Sequence, residues 1–326
     1  MIPFLLGPGW GRSPRNRFVD HGKAMRIGID LGGSKIEAIS LDEGGQELAR
    51  IRINTPAGNY DETIAAISTL IDRIEQDSGS PESSTIGIGI PGAISPVTGV
   101  VKNANSVCLI GRPLQQDLEE ALSRPVRIAN DANCFAMSEA IDGAGAGANL
   151  VFGVILGTGV GGGLVINGKV YEGLNAIAGE WGHNPLPWAQ DGERPGPDCY
   201  CGKRGCIETY LSGPGLARDT RSESGTASSG EEVATRAECG DGEAIAALGR
   251  YQERLARSLA SVINILDPDV IVLGGGLSNI RQLYDAVPRI WKNWVFSDEV
   301  RTRLVKNIHG DSSGVRGAAW LWPSSA

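Results

Sequence analysis

MRIGIDLGGSKIEAISLD, residues 25–42, reads as a strand, a tight glycine turn and a second strand. The first run is apolar up to Asp30, glycines follow at 32 and 33, and the apolar run resumes at Ile36. Runs this short, punctuated by glycine, are the arms of a hairpin rather than pieces of a helix. About 125 residues later the pattern restarts as LVFGVILGTGVGGGLVING, residues 150–168. Two such hairpins, each heading a stretch where strands alternate with helices, predict a duplicated α/β domain with a cleft between its halves.

The intervening segments fit that plan. Ile64, Ile67, Leu70, Ile71 and Ile74 form a helical stripe over residues 61–76. TIGIGIPG (85–92) is a strand running into a Pro-Gly turn, and PLQQDLEEALS (113–123) is helical. VRIAND (126–131) is a strand with a polar end, and ANCFAMSEAI (132–141) starts a helix. In the second half, Leu248, Leu255, Leu259 and Ile263 mark a long helix over 242–266, and DVIVLGGGLS (269–278) is a buried strand closed by glycines. The expected domains are 25–140 and 141–311, with a C-terminal helix within 312–326 packing back on the first. Residues 185–206 and the Ser/Gly-rich stretch 221–230 read as loops, the second a mobile surface loop. Residues 1–24 carry no period and read as a disordered extension ahead of Met25. Their arginines (Arg12, Arg15, Arg17) follow the apolar stretch, the reverse of a signal peptide, so a cytoplasmic location is expected.

With 30 Lys+Arg against 38 Asp+Glu, the formal net charge is −8, which argues against duplex nucleic acid as the main partner. It leaves phosphate ligands open, because backbone N–H groups bind phosphate without basic side chains. No apolar run approaches the roughly 20 residues of a membrane span. Three of the six cysteines (Cys199, Cys201, Cys206) fall together, which points to a metal rather than to disulfides. With His183 they form a recurrent tetrahedral set for Zn²⁺, structural because every position is taken by protein.

Glycine lets a backbone approach phosphate closely, so three turns draw attention: Asp30 to Lys35, Gly157-Thr158-Gly159 with Gly161 to Gly163, and Gly274-Gly275-Gly276. No GxGxxG opens a helix in a βαβ unit, as a Rossmann fingerprint would, and no Walker A GxxxxGK[ST] occurs. Asp131 ends a strand where a helix begins. Its residue type allows two roles, a helix N-cap or the acceptor of a hydroxyl proton in phosphoryl transfer.

DLGGSK, the IPG turn, NDAN, LGTGVGGG, GEWGH, CYCGKRGCIE and LGGG occur in the order found in the ROK family of bacterial sugar kinases and repressors. The chain resembles that family over residues 25–323. The resemblance implies an actin-like fold of duplicated ribonuclease H-like domains and an ATP-dependent kinase for a small sugar. Asp131 matches the family's catalytic base. Gly92, Asn105, Asn130, Glu180, His183 and Glu208 match sugar-contacting positions. Asp30 falls near Mg²⁺. Gly32, Gly33, Ser34, Lys35, Gly157, Thr158 and Gly159 match the phosphate turns of the ATP site, and Gly274, Gly275 and Gly276 border the adenosine. The pattern CxCGxxGCxE adds weight to the zinc set, and the family often forms homodimers. VKNANS, GEWGHNPLPW and HGDSSGVRGAAWLWP look closest to the fructokinase (mannokinase) branch, making fructose the first expected substrate. N-acetylglucosamine or another hexosamine is the alternative. A regulator that lost catalysis is a further one, although residues 1–24 are too short for the repressors' helix-turn-helix.

Overall fold

Gly32 donates its N–H to the carbonyl of Lys35 at 2.9 Å, closing the hairpin of β1 (Arg26–Leu31) and β2 (Lys35–Leu41). The computed structural model describes residues 25–56, 58–79, 84–104, 106–220 and 229–323. The expected extension over 1–24, the loop tip 221–228 and Asn105 lie outside the described residues.

β3 (Glu47–Asn54) continues the hairpin, helix α1 (Tyr60–Ser78) crosses over, and β4 (Thr85–Ile90) returns parallel to β1. Asn59 caps α1 by accepting the N–H of Glu62, and left-handed Gly79 ends it. A short hairpin, β5 (Ala93–Ile94) and β6 (Val101–Lys102), precedes α2 (Leu114–Leu122) and β7 (Val126–Asn130). The first sheet has the order β3-β2-β1-β4-β7.

After α3 (Asp131–Ile141), the second sheet repeats the plan with β8 (Leu150–Leu156), β9 (Val160–Ile166), β10 (Lys169–Val170), β11 (Val270–Gly274) and β12 (Arg303–Lys306). Its order is β10-β9-β8-β11-β12, the same arrangement position for position. The duplication expected from the two hairpins is therefore present at the level of the sheets. Helices α4 (Ile207–Leu211), α5 (Gly213–Asp219), α6 (Gly230–Glu238), α7 (Gly242–Leu266) and α8 (Gln282–Trp291) belong to the second half, whose core runs from Phe152 and Trp181 to Leu255, Leu259 and Trp291.

Two helices join the halves. α9 (Ser313–Ala319) packs on β1 and β4 of the first sheet, while α3, although it follows β7, packs on β8 and β9 of the second. The two helices lie against each other so closely that a Cβ on Gly317 would sit 1.6 Å from the carbonyl oxygen of Cys134. Glu139, fully buried on α3, accepts from Ser313 Oγ at 3.0 Å and from the backbone N–H groups of Ala144, Ile308 and His309. Asp142 accepts from Arg316 and from Trp320 Nε1. Polar bonds of this kind are satisfied only when both helices are in register.

Gly161 to Gly163, read from sequence together with the phosphate turn at Gly157 to Gly159, lie inside β9. Close packing explains Gly162 and Gly163: a Cβ on Gly163 would meet the carbonyl oxygen of Ala132 at 2.4 Å, and one on Gly162 would meet Gly179 and Trp181 at 2.7 Å. Their glycines admit α3 and the 179–181 segment onto the sheet.

Residues 190–197, just before the cysteines, are anchored to α7 through Glu193. Glu193 receives Arg257 Nη2 on both oxygens at 2.8 and 2.9 Å and Arg254 Nε at 2.8 Å. Burial alone would raise the Glu193 pKa, but the hydrogen bonds from Arg257 and Arg254 outweigh it and bring it down to about 2. A folded pKa below the unfolded value stabilises above pH ~4.5, and that contribution is lost as pH falls towards 2. Glu193→Gln leaves the buried Arg257 without its counter-charge and is expected to cost about 3–5 kcal/mol. Thermal unfolding of both proteins should show a wide Tm gap at pH 7 that narrows between about pH 4.5 and 2. Equal melting at pH 7 would show the anchor to be idle.

Candidate active site

β7 ends at Asn130 and α3 begins at Asp131, so the two residue roles left open by sequence are divided between neighbours. Asn130 is the N-cap: its Oδ1 accepts the N–H of Ala132 at 2.9 Å, and its Nδ2 donates to the carbonyl of Gly92 at 3.2 Å. That second bond ties the Pro91–Gly92 turn after β4 to the head of α3. With the cap supplied, Asp131 presents its carboxylate to a cavity while Oδ1 also accepts from Ala132 N–H at 2.8 Å.

The cavity, of about 240 Å³, is lined from the first half by Gly92, Asn130 and Asp131, and from the second by Gly157, Thr158, Gly159, Glu180, His183 and Glu208. Residues as far apart as 92 and 208 thus converge on one small polar space, which suits a compact hydroxyl-bearing molecule. Glu208 has a task of its own: Oε2 accepts the N–H of Val160 at 2.9 Å, bracing the glycine turn between β8 and β9. Asn103 and Tyr200 line the cavity as well, and sequence reasoning passed over both. The available signal for Asn103 was its place in VKNANS, two residues before Asn105; for Tyr200 it was its place between two clustered cysteines.

The electrostatics are those of crowded carboxylates. Burial raises the pKa of Asp131, the N–H of Ala132 opposes this, and the charge of Glu180 adds to it. Asp30, near the end of β1, is pushed up to about 6, first by burial and then by the charge of Asp131. The charge of Asp131 thus reaches Asp30 at the end of β1.

The glycine turns at Gly32 to Lys35 and Gly274 to Gly276 do not line this cavity, and neither does Asp30. Gly275 has φ +79°, and a Cβ there would lie 2.4 Å from the carbonyl oxygen of Leu156, so the end of β11 nests against the residue before Gly157. Gly213 N–H donates to the carbonyl of Gly157 at 2.7 Å, adding α5 to the same corner.

His183, Cys199, Cys201 and Cys206 come together with one ligand atom each, all within 4.8 Å of one another. Tetrahedral Zn²⁺ with bonds of about 2.3 Å to sulfur and 2.0–2.1 Å to nitrogen requires S···S near ~3.8 Å and S···N near ~3.5 Å. Cys201 Sγ and Cys206 Sγ are 3.7 Å apart, and Cys199 Sγ is 3.6 Å from His183 Nδ1. The donor set and its spacing fit that ion.

Paired sheets of identical order with a cleft between them are the actin-like architecture, built of two ribonuclease H-like halves. The ROK family profile matches residues 26–325. The chain belongs to the ROK family. It is 40% identical over 305 residues to the N-acetyl-D-glucosamine kinase of Pasteurella multocida, covering 92% of this chain and 100% of that protein. Among solved structures, the ROK hexokinase from Thermus thermophilus superposes with a TM-score of 0.80 at 31% identity, over 91% of this chain and 97% of its own. A ROK family glucokinase from Streptomyces griseus, in complex with glucose and AMPPNP, gives 0.70 at 28% identity, over 91% and 98%.

Proposed function

We propose that this chain is an ATP-dependent sugar kinase that phosphorylates the 6-hydroxyl of N-acetyl-D-glucosamine. The observation that carries the proposal is Asp131, held at the head of α3 with its carboxylate in the polar cavity between the halves. A hydroxyl seated there has Asp131 as proton acceptor. The sugar oxygen attacks the γ-phosphorus of ATP, the bond to the β-phosphate oxygen breaks, ADP leaves, and the hydroxyl proton passes to Asp131. Mg²⁺, which favours one or two carboxylates plus phosphate oxygens and waters, would be held near Asp30 and neutralise phosphate charge. The turns at Gly32 to Lys35 and Gly157 to Gly159 are assigned to the phosphates, and Gly274 to Gly276 to the adenosine side. Asn130, Glu180, His183 and Glu208 are assigned to the sugar hydroxyls, together with Asn103. Asn105 keeps only its sequence-based assignment. The cluster of His183 with the three cysteines is assigned to a structural Zn²⁺.

Fructose, the substrate first expected from VKNANS, GEWGHNPLPW and HGDSSGVRGAAWLWP, gives way to N-acetylglucosamine. The relative that matches at 40% over its entire length is named for that sugar. The tryptophans themselves have other work. Trp181 is buried edge-on against Phe152 at 5.7 Å and donates to the carbonyl of Gly161, and Trp188 pairs with Trp294 at 5.2 Å. They pack the second half, so their presence does not report on the sugar.

A coupled ADP-release assay across N-acetylglucosamine, N-acetylmannosamine, glucose, mannose and fructose tests the assignment. The expected result is a kcat/KM for N-acetylglucosamine at least about 10-fold above the others, the scale that one well-placed polar contact supplies. A preference for fructose overturns the hexosamine assignment, and sugar-independent ADP release overturns the kinase.

A further inference from the structure

Tyr200 sits between Cys199 and Cys201, in a loop held by its own backbone: Cys199 N–H donates to the carbonyl of Lys203 at 2.8 Å, and Gly202 N–H to that of Cys199 at 3.0 Å. Its side chain is 81% exposed, unusual for a ring this large on so constrained a loop. The ring lines the same cavity as Asp131, Glu180 and Glu208. It stands edge-on to the His183 ring, with centroids 5.0 Å apart and planes at 87°. Its hydroxyl lies 2.9 Å from His183 Nε2.

The two ring nitrogens of His183 face different neighbours. Nδ1 is 3.6 Å from Cys199 Sγ, on the side of the cysteine cluster, which leaves Nε2 as the cavity-facing nitrogen. In the kinase proposed above, on which this inference rests, Nε2 is the atom offered to a sugar hydroxyl. In the structure the hydroxyl of Tyr200 lies at that position. We propose that Tyr200 is a placeholder whose phenolic hydroxyl holds the hydrogen-bonding site on His183 until a sugar hydroxyl displaces it.

The placement has two consequences. The imidazole keeps a satisfied Nε2 and a fixed ring orientation in the free enzyme. A sugar with no hydroxyl at that point cannot evict the tyrosine, so the displacement filters ligands as well as pre-forming the site. Among the described residues, one hydrogen bond and one ring edge oppose the eviction, and the side chain turns on two torsions.

The test is Tyr200→Phe, which keeps the ring and removes the hydroxyl. Sugar-dependent turnover of the parent with N-acetylglucosamine is measured first, and failure of the kinase assignment appears there as no turnover. Calorimetric titration of parent and Y200F with the same sugar, without nucleotide, follows. Y200F is expected to bind about 2–10-fold more tightly, the range set by the net worth of one neutral hydrogen bond, and KM should fall with it. In parent protein labelled with 3-fluorotyrosine, which carries six tyrosines, the ¹⁹F resonance missing from Y200F should shift on saturation with sugar. Unchanged or weaker binding by Y200F, or a Tyr200 resonance that ignores saturating sugar, overturns the placeholder in an enzyme that still turns over.

Discussion

Asp131→Asn is expected to lower kcat by about 10²–10⁴-fold, the usual contribution of a positioned general base, and to leave sugar affinity within a few-fold of the parent. The substitution is nearly isosteric. The new Oδ1 can still accept the Ala132 N–H that Asp131 holds at 2.8 Å, and the capping bond of Asn130 at 2.9 Å is untouched. The carboxylate charge next to Asp30 and Glu180 disappears, so thermal stability should be equal or higher. Activity and stability thus move in different directions, which separates loss of a base from loss of a fold. Because burial raises the Asp131 pKa above the ordinary carboxylate value, the parent's activity should fall as pH drops through that raised value. The residual activity of the variant should lack this acid limb. ADP release, calorimetric sugar binding and a thermal melt are the three measurements. Near-parental turnover removes Asp131 as the base.

Removal of the metal from the cysteine cluster is the second large effect. Metal analysis should find one zinc per chain, and Cys201→Ala should lose it. Losing a structural metal belongs to the few changes that cost more than about 4–5 kcal/mol. At about 2–4 °C per kcal/mol for larger domains, the expected drop in Tm is about 10–20 °C. Sugar binding should weaken along with it, because the loop that brings Cys199, Cys201 and Cys206 together leads directly into Glu208. His183 belongs to both the cluster and the cavity. If the purified protein holds no zinc and the Cys201→Ala chain melts with the parent, the cluster is a set of reduced thiols and the loop is held by its backbone hydrogen bonds alone.

The sheet plan was written in short-range patterns. Strand period, glycine turns and helix caps depend on residues a few positions apart, so the repeated hairpins at 25–42 and 150–168 already announced two equivalent sheets. The cysteine cluster was legible for the same reason, since three of its ligands fall within eight positions. Asp131 could be found at a strand end, but not released from capping. Only the structure shows that Asn130 provides the cap.

What the chain determined by local chemistry was the element order, the duplication and the donor set for a metal. The tertiary structure alone decided that α3 leaves its own sheet to pack on the other, that Gly162 and Gly163 admit close neighbours within β9, and that Tyr200 reaches the cavity-facing nitrogen of His183. These are contacts between surfaces distant in sequence, settled by which shapes fit closely enough to exclude water. No period or spacing along a single strand of residues encodes such a fit, because it exists only once both partners are folded.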